Sequence, residues 1–199
     1  MDEPLSNLDA RLRLQMRGEL KHLQQKLNTT TVYVTHDQAE AMTLGHRVAV
    51  MNQGRLQQFA APLEIYNRPA NRFIAEFVGS PGMNFIDGGL SGRQFAAPSI
   101  NLTVPDDQIP GVGGHGSLTL GIRPEHVQVS AAARDAWTPA TVYVTELMGG
   151  ETFVVIEVGS QRIVARTAGD FRAETGSRVW IDFDMPRVHF FDPKSGLRI

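Results

Sequence analysis

The sequence has no cysteine, no apolar run near the length of a membrane span, no marked excess of either charge and no glycine-rich phosphate loop. Without cysteine there are no disulfides and no thiolate metal ligands, which fits a reducing, cytosolic setting. No stretch approaches the roughly 18 consecutive apolar residues that a bilayer-crossing helix needs. The first residues carry neither the basic nor the apolar region of a secretory leader. Contact with a membrane is therefore expected to run through another protein. A net charge of −2 gives no reason to expect nucleic acid or an anionic lipid surface as a direct partner. The string G-x-x-x-x-G-K-S/T occurs nowhere, so these residues offer phosphates neither a backbone cradle nor a lysine.

What is present is a chain of 199 residues, 42% hydrophobic and 20% charged, enough for one or two ordinary domains with a proper core. From Leu8 to Leu27, Leu8, Leu12, Met16, Leu20, Leu23 and Leu27 recur at three- and four-residue steps. That spacing predicts an amphipathic helix whose basic residues form a solvated face. The β-branched run Thr30–Thr35 predicts a short buried strand. Asp37 is placed to cap a helix reaching Thr43, with Glu40 completing a box-like pattern. A hairpin follows, Arg47–Met51 and Arg55–Phe59 around Asn52-Gln53-Gly54. Pro62 opens one more helix and Asn71–Val78 forms another, before the cluster Gly79-Ser80-Pro81-Gly82.

Beyond Asn84 the helical periods stop. Short β-type runs take over at Ser117–Ile122, Val127–Ser130, Thr141–Thr145, Thr152–Val158, Arg162–Arg166, Arg178–Phe183 and Val188–Phe191. Such spacing predicts a small barrel or sandwich. The chain thus divides into an α/β piece, residues 1–82, and an all-β module, residues 83–199.

Chemistry is concentrated at the start. Asp2 and Glu3 are adjacent acids before Pro4, Ser6-Asn7-Leu8-Asp9 follows, and the run Thr31–Thr35 ends in His36-Asp37. A lone acidic pair reads as a solvated turn, but this order of motifs resembles the ATP-binding subunits of ABC transporters. Gln38-Ala39-Glu40-Ala41-Met42-Thr43-Leu44, Phe77-Val78-Gly79-Ser80-Pro81-Gly82-Met83-Asn84-Phe85 and Gly121-Ile122-Arg123-Pro124-Glu125-His126-Val127 narrow the resemblance. They look like the carbohydrate-importer group, which energises maltose and glycerol-3-phosphate uptake in bacteria.

The resemblance implies a fold: the C-terminal part of a P-loop ATPase domain followed by a regulatory OB-type (TOBE) barrel. It implies that Asp2 holds Mg²⁺ through water, that Glu3 is the general base, and that His36 senses the γ-phosphate. Ser6, Asn7 and Asp9 belong to a loop crossing to a second ATP-binding subunit. Further implied partners are transmembrane permease subunits and a regulatory protein or metabolite at the barrel, at the cytoplasmic face of the cell membrane. The family's phosphate loop has no counterpart here. Met1 is accordingly read as an internal methionine of a longer subunit, and the chain is expected to bind neither ATP nor Mg²⁺ alone and not to hydrolyse ATP. Residues 1–60 are then expected to be loosely ordered, swapped or covered by a second copy.

Leu90-Ser91-Gly92-Arg93-Gln94 imitates the family's signature loop but falls in the wrong order, and reads as a turn. His22, His46, His115 and His189 have no ligand-spaced partners, so no metal site is expected from them. Arg123, Pro124 and Glu125 are expected to shape a barrel turn. Two alternatives remain. One is a stand-alone module binding an oxyanion or small ligand on its barrel; the other is an autonomous Mg²⁺-dependent hydrolase using Asp2, Glu3 and His36.

Overall fold

A computed structural model describes residues 1–109 and 116–199; His115 lies outside the described residues. The chain forms two compact units, Met1–Ala70 and Asn71–Ile199.

In the first unit, α1 spans Ala10–Leu27. It begins two residues after Leu8 because Asp9 caps it, accepting from the backbone N–H of Arg11 and Leu12 at 3.0 and 2.9 Å. Asn28 closes it in the left-handed conformation. None of its residues is buried, and Leu14 and Leu27 are mostly exposed.

The strand expected over 30–35 does not form. Its single ladder contact is a parallel bridge between Asp2 and Val34. Glu3 N–H donates to Val34 O, and Val34 N–H to Met1 O, both at 2.9 Å. A strand needs a run of partners, and among the described residues this bridge and the Met1 amino group's bond to Val32 O at 2.9 Å are what residues 1–3 supply; Val32 and Val34 are exposed. Helix α2, Gln38–Leu44, follows its Asp37 cap. Strands β1 (Val48–Asn52) and β2 (Arg55–Ala60) pair through a two-residue turn in which Gln53 and Gly54 both have positive φ, 47° and 73°. This is the backbone a type I′ turn requires. Helix α3, Pro62–Asn67, starts on its proline. Buried apolar side chains in this unit are Leu5, Val50, Ala60 and Ile65. Among the described residues the unit's only sheet is the β1–β2 hairpin, so the parallel α/β sheet of the expected ATPase piece is not seen in this chain.

The second unit opens with α4, Arg72–Phe77, capped by Asn71, which accepts from Ile74 N–H at 2.9 Å. Strands β3 (Asn84–Ser91), β4 (Gln94–Ala97), β5 (Ile100–Thr103), β6 (Ser117–Ile122), β7 (Val127–Ser130), β8 (Thr138–Leu147), β9 (Glu151–Val158), β10 (Gln161–Ala168), β11 (Arg178–Phe183) and β12 (His189–Phe191) follow. They make two five-stranded antiparallel sheets, ordered β12-β6-β3-β4-β5 and β10-β9-β8-β11-β7. Strict alternation in β9 turns Thr152, Val154, Ile156 and Val158 inward. They meet Ile86, Phe95, Leu120 and Ile181 in one apolar core shared by both sheets. The end strands β10 and β7 approach each other, which curls that sheet toward an OB-like barrel.

The glycines of β3 interrupt its apolar alternation, while β4 and β5 are only four residues long, although β5 turns Ile100 and Leu102 inward. A Cβ on Gly88 would sit 2.6 Å from the Phe95 ring, so cross-strand packing selects glycine there. Leu90–Gln94 is a hairpin turn joining β3 to β4, with Gly92 at φ 58°.

The compact units divide at Ala70, whereas the change of composition falls at Gly82. Residues 71–82 go with the β unit because Arg123, 2% exposed, donates to Val78 O at 2.6 Å and holds the end of α4. Pro124–His126 forms a single 3-10 turn beside it, the turn expected of this string.

Candidate functional site: the Glu3–His36 pair

Backbone bonds between residues 1–3 and 32–34 bring two distant motifs together. Glu3 occupies the left-handed region at φ 42°, unusual before proline. Its Oε1 lies 2.8 Å from His36 Nδ1. The hydrogen bond to Glu3, reinforced by its charge, raises the His36 pKa above the ordinary 6.5. Both side chains are solvent-accessible, so solvent screens the pair and its contribution to stability is small.

Asp2 is exposed, held by its backbone bridge to Val34. Ser6 turns back, its Oγ donating to Glu3 O at 2.9 Å. Asn7 is exposed in the same turn. Asp9 is spent on the cap of α1. Glu3, Ser6, Arg13, Thr35, His36, Asp37 and Glu40 line one small depression. The structure therefore gathers Glu3, Ser6 and His36, places Asp2 on the adjoining backbone, and turns Asp9 to a helix terminus.

Two residues in this depression have roles other than those read from the sequence. Arg13, assigned by periodicity to a solvated face, donates from Nη2 to Leu8 O at 3.0 Å and to Ser6 O at 3.4 Å. Its Nη1 pairs with Asp37 at 3.5 Å. Glu40 is 2% exposed, and its Oε2 accepts from Tyr33 OH at 2.9 Å and Thr35 Oγ1 at 2.8 Å. Burial, then the bond to Glu40, pushes the Tyr33 phenol up to about 12. The signal for Glu40 was its place three residues after Asp37. Its side chain does not close the capping box directly. It reaches Thr35, whose Oγ1 accepts from Asp37 N–H at 3.0 Å, while Asp37 Oδ1 accepts from Glu40 N–H at 3.1 Å.

Among the described residues, no group of three or more His, Asp or Glu side chains is arranged to hold a metal ion. A phosphate cradle of the G-x-x-x-x-G-K-S/T type does not occur in the sequence.

Comparison with known proteins places these features. Residues 79–127 match the MalK OB fold domain and residues 120–191 the TOBE domain. The β unit is thus an OB/TOBE module. Over its full length the chain is 43% identical to an ABC transporter ATP-binding protein, YcjV, of Escherichia coli, itself uncharacterized. It is 46% identical to the sn-glycerol-3-phosphate import ATP-binding protein UgpC of Salmonella typhi, and 45% to the uncharacterized y4oS of Sinorhizobium fredii. Each match takes in all of this chain and 53–56% of the relative, so the chain spans about half the length of the curated relatives it matches. The chain is related to the ABC transporter ATP-binding subunits and corresponds to their C-terminal part. A cytoplasmic molybdate-binding protein, ModG, superposes with a TM-score of 0.43 at 11% identity, over 55% of this chain and 96% of that one. A likeness that slight establishes neither fold nor ligand.

Proposed function

We propose that this chain is the C-terminal portion of the ATP-binding subunit of a bacterial ABC importer for a carbohydrate or glycerol phosphate, carrying the catalytic carboxylate, the switch histidine and the regulatory barrel. The observation that carries the reading is the 2.8 Å contact between Glu3 and His36, residues 33 positions apart that the family order pairs in function. In this reading Asp2 is the Mg²⁺-side carboxylate, Glu3 the base that polarises water, and His36 the γ-phosphate sensor. Bound Mg-ATP would supply the electrophilic phosphorus and its charge neutralisation. The chain's own contribution is to hold the Glu3 carboxylate and the His36 imidazole on adjoining backbones, and to keep His36 protonated more readily than a free imidazole. Ser6 and Asn7 sit on the turn that would face a second subunit, and permease subunits would be the membrane partners.

Phosphoryl transfer depends on positioning and electrostatics, and neither a phosphate loop nor its lysine is among these residues. The chain alone is therefore proposed to be inactive, retaining dimerisation and regulatory parts. Its place is the cytoplasmic face of the membrane, held there through other subunits. Isothermal calorimetry with Mg-ATP tests this, on the chain alone and mixed with a full-length UgpC-type subunit. The expected result is no nucleotide binding alone, and a chain-dependent change in heat on mixing. Micromolar binding by the chain alone would overturn the reading.

A further inference from the structure

Whatever holds His36 against Glu3 has to act through the backbone, because His36 is itself exposed and Glu3 is its side-chain hydrogen-bond partner among the described residues. The residues on either side of it are pinned. Thr35 donates its hydroxyl to buried Glu40 and accepts the N–H of Asp37. Asp37 is fixed a second time by Glu40 N–H and a third by Arg13. Tyr33, two residues before the bridge partner's neighbour Thr35, ends on the same Glu40 oxygen. One carboxylate thus ties down alternate side chains, 33 and 35, of the segment leading into His36.

We propose that Glu40 is a positioning residue. Its buried carboxylate, through Tyr33, Thr35 and Asp37, sets the backbone at 35–37 so that the His36 ring meets Glu3. Arg13 extends this brace to the turn that follows Glu3, by holding Ser6 O and Leu8 O while it pairs with Asp37. The two sides of the catalytic pair are thereby linked through one guanidinium. This rests on the functional reading of Glu3 and His36 given above and adds the group that aligns them. A buried carboxylate is costly unless its hydrogen bonds are made, and this one takes two hydroxyls on its Oε2. Its expense is accounted for by alignment.

The test is a nucleotide-free NMR measurement on the full 199-residue chain, reading Overhauser cross-peaks between the His36 ring protons and the Glu3 side chain. Glu40→Ala is expected to abolish them. Glu40→Gln, whose carbonyl oxygen still accepts from both hydroxyls, is expected to keep them. Thr35→Val, which cuts the link to Asp37 without removing the carboxylate, is expected to lose them as well. Cross-peaks across the β1–β2 hairpin report that the unit remains folded in each variant. Retention in Glu40→Ala, or equal loss in Glu40→Gln, overturns the proposal, the latter because charge rather than geometry would then be the cause. If Glu40→Ala loses the hairpin peaks too, Thr35→Val decides. Nucleotide binding does not enter this result, so failure of the calorimetric test and failure of this one are separable.

Discussion

The side-chain amide of Asn84 in β3 makes both hydrogen bonds of a strand partner with Val164 in β10: Nδ2 donates to Val164 O and Oδ1 accepts from Val164 N–H, each at 2.8 Å. Asn84 belongs to one sheet and Val164 to an end strand of the other. A single amide thus satisfies backbone groups that the edge of the second sheet would otherwise leave unpaired.

Asn84→Ala removes both bonds and leaves the Val164 N–H and C=O without partners. A loss of about 2–4 kcal/mol is expected from two unsatisfied groups at a largely buried site. Denaturant unfolding of the chain, followed by the two tryptophans of the β unit, measures it. A change below about 0.5 kcal/mol would mean that water replaces the amide at no cost.

Arg123 is the second polar residue that closes the β unit. Its guanidinium donates to Val78 O at 2.6 Å at the end of α4, and at 3.5 Å to Ala75 O, which also accepts from Met83 N–H at 3.2 Å. Arg123→Met preserves the stem and deletes the cap. About 2–3 kcal/mol is expected to be lost, with faster amide exchange in α4 than in the β sheets. Uniform exchange across the unit would argue that α4 is held by packing alone.

Two histidines give the β unit a dependence on acid. Burial, followed by the charges of Arg198 and Arg123 and by His126, pushes the His189 pKa down to about 4. Burial also lowers His126. A histidine depressed in the folded state binds fewer protons there than in the unfolded chain, so it opposes folding once the unfolded chain begins to protonate. Stability is therefore full above pH about 6.5 and declines as pH falls toward 4. The His189 contribution is on the order of 2 kcal/mol once its partial exposure is discounted. Thermal unfolding at pH 7 and pH 4.5 measures the decline, and His189→Gln should reduce it. His126 leaves a residual slope of the same sign. An unchanged slope in His189→Gln would remove His189 as the cause.

At the candidate site the sign is reversed. His36 is raised by Glu3, so the folded state binds its proton more tightly than the unfolded chain does. The associated stabilisation is present below pH about 6.5 and fades as pH rises through the folded value. Glu3→Gln is expected to bring the His36 titration, read by NMR, back toward the unperturbed value of about 6.5. If the titration does not move, the pairing is absent in solution.

The β1–β2 turn carries a correctable strain. Gln53 adopts φ 47° in a position where asparagine is better tolerated. Gln53→Asn is expected to stabilise the hairpin by about 0.5 kcal/mol, seen as slower amide exchange at Val50 and Gln58. Faster exchange would show that the glutamine makes a contact worth more than the strain.

What the sequence by itself determined is local. Asp37 announces its helix because a short acceptor can reach an N–H three residues ahead. Gln53-Gly54 announces its hairpin because a tight turn needs positive φ. The later β strands are legible from alternation, and the family strings from their order. Tertiary structure decided the rest, wherever a residue's role depends on a partner far along the chain. The Thr30–Thr35 segment has strand composition, yet a strand exists only where neighbouring backbone runs beside it, and here that is one bridge at Asp2. Glu40 reads as half of a capping box until Tyr33 and Thr35 donate to its buried carboxylate, and Arg123 as a turn residue until α4 ends against it. Strand β3 was hidden because Gly88, chosen by the ring of Phe95 across the sheet, breaks its pattern, and β4 and β5 because each is only four residues long. Capping and turn energies act within a few residues and can be read in order. Ladders and buried polar pairs are set by chain brought from elsewhere, which only folding supplies.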